Sequence, residues 1–402
     1  MSADLFDQLQ TTLRGEGPAA AIDRLCERLR ASREYNKLFY ARLMKKRVEM
    51  GVSPVPTGPS TDVPEAKQAE FEEVIRESAR EAGGLCLADG DLPQAWVYYR
   101  MIGEPEPVRA ALDAYQPGED EDVQPLVGLA FYEGVHPTRG FDWVLSRYGL
   151  CNAITTASGE MPFPDEVKHH CVRSLIRALY AELRARLTAE IEARWGVPPA
   201  GSDAPADSPG VVRQLITDRD WLFEEEAYHI DTSHLSSVVH LSMSLPPCPE
   251  LHLARELCAY GAKLSGRFLG EQDPPFDNGY ADYEVYLSVL AGDDVEAGLA
   301  HFRAKAGSTD KETYGTGAAE VLVNLLLRVG RGKEAVAVAR EHLSTPQTGQ
   351  LSCPGLAELC QRFGEYGVLA EAAREQGDAL HYLAGLIAAE GTAAVTPCPA
   401  RP

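Results

Sequence analysis

Gly330-Arg-Gly-Lys-Glu-Ala335, with Leu322 before it and Ala339 after it, is the stretch on which the reading of the fold turns. Glycine leaves the end of a helix in the left-handed conformation that other residues resist, and a small alanine five residues on lets the next helix approach its partner closely. The same signature stands at Gly292-Asp-Asp-Val-Glu-Ala297, followed by Phe302 and Ala304. A degenerate copy is Gly364-Glu-Tyr-Gly-Val-Leu369, followed by Ala373. Another lies nearer the N-terminus, as Ala82-Gly83, Cys86, Gly90-Asp-Leu-Pro-Gln-Ala95 and Tyr99. Gly292, Gly330 and Gly364 follow one another at 38 and then 34 residues. A single helix pair cannot bury its apolar face, so turns at this period imply helix hairpins stacked on one another.

Outward from these turns, apolar residues keep the three-and-four spacing of helices, as at Ile22, Leu25, Cys26 and Leu29, and strand-like alternation is nearly absent. The fold class is therefore all-α: helical-hairpin repeats with a long-helix middle segment. Pro164 suits the first turn of the longest helix, about 164–195. The proline-rich stretch 51–64 reads as a loop. Residues 196–210, Gly-Val-Pro-Pro-Ala-Gly-Ser-Asp-Ala-Pro-Ala-Asp-Ser-Pro-Gly, read as a flexible linker. The expected organisation is an N-terminal helical domain over 1–116, a middle helical segment over 117–195, that linker, a C-terminal helical domain over 211–391 and a tail over 392–402.

The turn pattern resembles that of tetratricopeptide repeats, over roughly 70–120 and 280–390 and less clearly over 5–50 and 232–270. In that family a small residue pair sits in helix A, Gly-x-x-x-x-Ala bridges the turn, and an aromatic follows in helix B. The resemblance implies an α-solenoid and a scaffold or adaptor whose concave surface binds a protein or peptide segment. Helix A faces would carry the contacts, which makes Tyr283, Tyr286, Glu320 and Asn324 the candidate partner-binding residues. The family binds many unrelated partners, so the resemblance leaves the ligand open.

Charge narrows the choice of partner. With 60 acidic against 38 basic residues the chain carries −22, a balance that disfavours nucleic acid and anionic membrane and leaves basic peptides or proteins and cations. No run of eighteen apolar residues is present to span a bilayer. The N-terminus, Met1-Ser-Ala-Asp-Leu-Phe-Asp, has no basic segment followed by an apolar run, as a secretory signal requires. Nine scattered cysteines without a Cys-x-x-Cys pair read as reduced core residues. The cytoplasm is the expected location.

One chemical pattern competes with the scaffold reading. Seven of the ten histidines lie between 136 and 252, and an acid stands three residues before five of the ten, as in Glu133/His136, Glu166/His169, Glu226/His229, Asp231/His234 and Asp378/His381. On a helix that spacing puts both side chains on one face. Glu-x-x-His on two helices with further carboxylates is a ligand set for di-iron and di-manganese bundles, and two histidines with one carboxylate suit a single iron. The rival function is thus a metal-dependent helical enzyme, using iron or zinc, with Glu166, His169, Glu226, His229, Asp231 and His234 as candidate ligands within 133–234. The structural alternative for each pair is helix stabilisation, and Asp231 also fits an N-cap. No phosphate loop or nucleophile elbow is present, and the expected cofactor content is otherwise none.

Overall fold

The computed structural model describes residues 3–55, 63–201, 203–268, 270–343 and 351–391. All regular secondary structure among them is helical. The tail over 392–402 lies outside the described residues, as does most of the loop after residue 55. The chain divides into two compact units, residues 1–148 and 149–402.

The first unit opens with α1 (Ala3–Glu16), α2 (Pro18–Ala31), α3 (Tyr35–Glu49), α4 (Glu65–Ala88), α5 (Leu92–Ile102) and α6 (Glu106–Ala114), each packed on the next in the chain or on the one before. Two short helices follow, α7 (Gln124–Val127) and α8 (Pro137–Trp143), each running on into a π-helical turn. The expected middle segment, 117–195, is divided between the units: residues 117–148 fall in this one and 149–195 in the second. Arg139 donates to the Tyr115 carbonyl at 2.9 Å, and Arg147 donates to the carbonyls of Pro117 and Gly118 at 3.1 and 2.6 Å. Arg109 reaches the Val135 carbonyl at 3.0 Å. These bonds satisfy backbone that would otherwise need water; Arg109 ties Val135 to α6, Arg139 reaches the residue that ends α6, and Arg147 braces the segment internally.

The second unit contains α9 (Gly149–Ser158), the long α10 (Asp165–Trp195), α11 (Val211–Ile216), α12 (Thr232–Ser242) and α13 (Glu250–Gly261). Beyond them come α14 (Tyr280–Ala291), α15 (Val295–Ser308), α16 (Lys311–Tyr314), α17 (Gly317–Arg328) and α18 (Gly332–His342). The last are α19 (Leu356–Phe363), α20 (Tyr366–Gln376) and α21 (Ala379–Gly391). α10 buries a continuous stripe from Cys171 through Leu175, Leu179, Leu183 and Leu187 to Ile191 against α9, α11, α12 and α13. From α12 onward packing passes along the chain, with α15 going to α17 and every other longer helix resting on its sequence neighbours.

The glycine turns behave as their residue type dictates. Gly90, Gly292, Gly330, Gly364 and Gly377 all hold positive φ. After each, the next amide donates back to a carbonyl near the helix end: Asp91 to Cys86, Asp293 to Ser288, Arg331 to Leu326, Glu365 to Cys360 and Asp378 to Ala373. That bond is the signature of a Schellman C-cap. The register after Gly292 departs from expectation, because Ala297 is exposed and Gly298 is the buried position, where an added Cβ would collide with Val289. Asp294, in the left-handed region at φ 48°, is one extra residue in this turn and shifts the helix that follows by one. Ala95 and Ala335, expected at close contacts, are fully buried.

Residues 196–210 differ from a free linker. The buried guanidinium of Arg184 donates to the carbonyls of Gly201, Ala204 and Pro205, so this stretch lies along α10. The Tyr180 hydroxyl stands 2.9 Å from the Ser208 carbonyl, and the buried Glu256 accepts from the amides of Gly210 and Arg213. A carboxylate on the first amides of α11 satisfies donors that the helix itself leaves unpaired.

Candidate functional site

The six candidate metal ligands go to separate jobs. Glu166 is exposed in the first turn of α10, and His169 lies half-buried a turn later. Glu226 pairs with Arg267 at 2.8 Å, in a stretch where Glu225 and Glu226 both take positive φ. Asp231 caps α12, accepting from the amides of Ser233 and His234 at 2.8 and 3.3 Å. The Ser233 hydroxyl, followed by those amides, holds the Asp231 carboxyl below the usual aspartate range. His234 sits half-buried on the first turn of α12. Among the described residues no three His, Cys, Asp or Glu side chains are grouped so as to hold a metal ion. The pairing of His136 with Glu133 also dissolves, since Glu133 meets Arg100 at 2.8 Å while His136 faces Thr138 and Asp113. His381 does meet Asp378, at 2.6 Å, on an exposed surface.

His229 is the one buried member of the set, and its partners come from elsewhere in the chain. Its Nδ1 lies 3.1 Å from the Tyr260 hydroxyl on α13, while its own backbone amide donates to that same oxygen at 2.8 Å. Its Nε2 lies 3.0 Å from a carboxylate oxygen of Glu190 on α10, near enough for attraction though poorly aligned for a hydrogen bond. The hydroxyl oxygen is occupied by the amide, so its proton points to Nδ1 and the ring proton sits on Nε2 facing Glu190. Burial holds the His229 imidazole below the usual histidine range, against the pull of Glu190 and with help from Arg186. Burial likewise pushes the Tyr260 hydroxyl up to about 12. The imidazole and the phenol are therefore held neutral in the interior, and with Glu190 they brace α10, α13 and the start of α12 together.

The four candidate partner-binding residues split. Tyr286 is 4% exposed and lies edge-on to Phe302 at 5.7 Å, so it is core and cannot meet a partner. Tyr283 stacks on Phe276 at 4.3 Å and donates its hydroxyl to Gln272 at 3.0 Å. Glu320 and Asn324, one turn apart on α17, grip Ser352: Glu320 accepts from its amide and hydroxyl, both at 2.7 Å, and Asn324 donates to its carbonyl at 3.1 Å. Burial alone would raise the Glu320 carboxyl, but the hydroxyls of Thr316 and Ser352 with the Ser352 amide hold it below its usual range. This face of α17 thus holds the backbone of one residue, Ser352, and that residue is the chain's own.

Two features escaped the sequence. The first is a buried acid, Asp282, which accepts from His301 Nε2 and Lys305 Nζ, both at 2.7 Å, and from the Asn278 amide at 2.8 Å. Only the four-residue spacing of His301 and Lys305 along α15 hints at it. The second is on α21. Gly385 packs against α20, where an added Cβ would stand 3.0 Å from the Ala370 amide nitrogen and the Tyr366 carbonyl. On the opposite side Leu380, Leu383 and Ile387 are 76%, 57% and 63% exposed, with Leu386 at the flank 40% exposed. Leu380, Leu383 and Ile387 follow helical spacing, so they form one stripe.

Three of the buried cysteines are not prepared for thiol chemistry. Burial pushes the Cys86, Cys353 and Cys360 thiols up to about 11, away from the thiolate that nucleophilic or redox work requires. No helix among the described residues is long and apolar enough to cross a membrane. Comparison of the chain with family models, with curated proteins and with solved structures finds no match.

Proposed function

We propose that the chain is an α-solenoid of tetratricopeptide-like hairpins that works in the cytoplasm as a protein-interaction scaffold. The observation that carries this reading is the apolar stripe on α21. Here Leu380, Leu383 and Ile387 point away from α20 while Gly385 is turned toward it. A contiguous exposed apolar stripe is the usual mark of a protein contact. An amphipathic partner helix would bury it, with i, i+3 and i+7 anchors on both sides. The charge of −22 favours basic residues flanking those anchors. The face of α17 is a second, weaker element of the proposal, because Glu320 and Asn324 supply an acceptor and a donor that grip peptide backbone at Ser352.

The test is a photo-crosslinking amino acid at Ile387, compared with one at Lys333, whose side chain is 80% exposed on another helix. The expected result is one dominant protein partner captured through position 387 and not through 333, and lost when Leu383→Glu is added. Crosslinks only to residues 392–402 of the same chain, or only to a second copy of it, would overturn the scaffold reading. Equal, diffuse capture at both positions would do so as well.

A further inference from the structure

A cavity of about 590 Å³ in the second unit is walled by Pro246, Pro247, Val289, Leu290, Val295 and Val329. Its polar lining comes from His169, Ser244, Arg328 and Arg331, and no lining residue is acidic. That is a local inversion of charge in a chain that carries −22 overall. Arg331 has its charge matched, since it meets Glu334 at 3.0 Å and pairs with Glu296. Arg328 does not: among the described residues no carboxylate lies within 4.0 Å of it. Its guanidinium is fixed instead by donating to the backbone carbonyls of Met243 and Leu245, with the Tyr286 hydroxyl beside it. Carbonyls orient a guanidinium without cancelling its charge, and with five N–H donors the group is not exhausted by two such bonds.

The neighbouring imidazole reports the same field. Burial first, and then the charges of Arg173 and Arg328, hold His169 below the usual histidine range despite Asp165 and Glu166 nearby. Neutral His169 offers the cavity one donor and one acceptor. A pocket of this size, mostly apolar, with a few convergent polar groups and one uncompensated cation, has the general form of a small-molecule site.

We infer that this cavity binds a small amphipathic carboxylate, its head group on Arg328 beside His169 and its apolar body against the proline and valine wall. The inference stands apart from the scaffold proposal, since none of its residues lies on α21. A fixed guanidinium favours a planar carboxylate because two parallel N–H donors match its two oxygens. Seating that anion offsets the field of Arg328, so binding raises the proton affinity of His169 and takes up protons on the acid side of neutrality.

The experiment titrates the full chain calorimetrically with octanoate, with octanol and acetate as probes lacking the head charge or the apolar body. Octanoate is expected to saturate one site, with both controls weaker by about tenfold or more. Its presence should move the His169 imidazole resonance to titrate at higher pH. Arg328→Gln should weaken octanoate by about tenfold or more. Because that change also removes the bonds to Met243 and Leu245, Val295→Glu serves as the second variant. It places a carboxylate on the rim in the first turn of α15, where a helix tolerates negative charge, and should weaken octanoate to a similar degree at an unchanged melting temperature. Failure of octanoate to saturate in the millimolar range, equal affinity for octanol, or wild-type binding by a folded Val295→Glu protein would each overturn the assignment.

Discussion

At the scale of residues, His229 shows how burial decides the state of a polar side chain. The imidazole accepts from Tyr260 and turns its proton to Glu190, so adding a second proton sets Nδ1–H against a hydroxyl whose oxygen already accepts an amide. Its folded proton affinity is lowered, chiefly by burial. An unfolded histidine titrates near about 6.5. The unfolded chain therefore binds more protons than the folded one below that pH. Stability from this group is fully present above about pH 6.5 and is lost as pH falls through the lowered folded value. Urea unfolding at pH 8 and at pH 5.5 should show the loss, and His229→Phe should flatten the difference while costing about 1–3 kcal/mol at pH 8, from a buried hydroxyl left without its partner. A slope that survives unchanged in His229→Phe would assign the pH dependence to another group. The sequence singled out His229 but paired it with Glu226, three residues away. Its actual partners sit on α10 and α13, and spacing within one helix carries no record of contacts between helices.

At the scale of elements, what was legible follows from how local the cause is. A Schellman turn is decided by one glycine and its own helix end, so Gly90, Gly330 and Gly364 could be read from the chain alone. The register after Gly292 could not, because the extra residue Asp294 takes a left-handed conformation that its identity permits but does not announce. The same holds for 196–210, whose composition suggests a linker. A single buried arginine on α10 gathers its carbonyls, and composition does not reveal such a partner. The corrected register makes a sharp prediction. Gly298→Ala should cost about 1–3 kcal/mol by overpacking Val289. Ala297→Leu, on the exposed side of the same helix, should stay within about 0.5 kcal/mol. Ala335→Leu should resemble Gly298→Ala, since Ala335 is fully buried. Denaturant midpoints of the three variants check this, and a large effect at Ala297 with none at Gly298 would restore the alanine register.

At the scale of the whole molecule, the all-helical class was legible because every segment repeats the same period, whereas the division into units was not. It falls at residue 148, and Arg109 on α6 and Arg100 on α5 reach forward to Val135 and Glu133 within the first unit. Each unit has an interior of its own. The first buries Leu38, Ala95, Tyr98, Leu112 and Phe141, and the second is built around Leu175, Leu179, Leu183, Leu257 and Leu326. A unit with its own core is expected to fold alone. Fragments 1–148 and 149–391, made separately, should each unfold in one cooperative step. Their calorimetric enthalpies near 60 °C should be about 100 and about 170 kcal/mol, in proportion to length at about 0.7 kcal/mol per residue. Cutting at residue 116 should instead leave Arg139 without the Tyr115 carbonyl and Arg109 without that of Val135, and the piece 117–148 without the helices it packs on. A fragment 1–116 as stable as 1–148, with 117–195 folding by itself, would return the boundary to where composition first placed it. A broad, low-enthalpy transition in 1–148 would show that its interior does not close on its own residues.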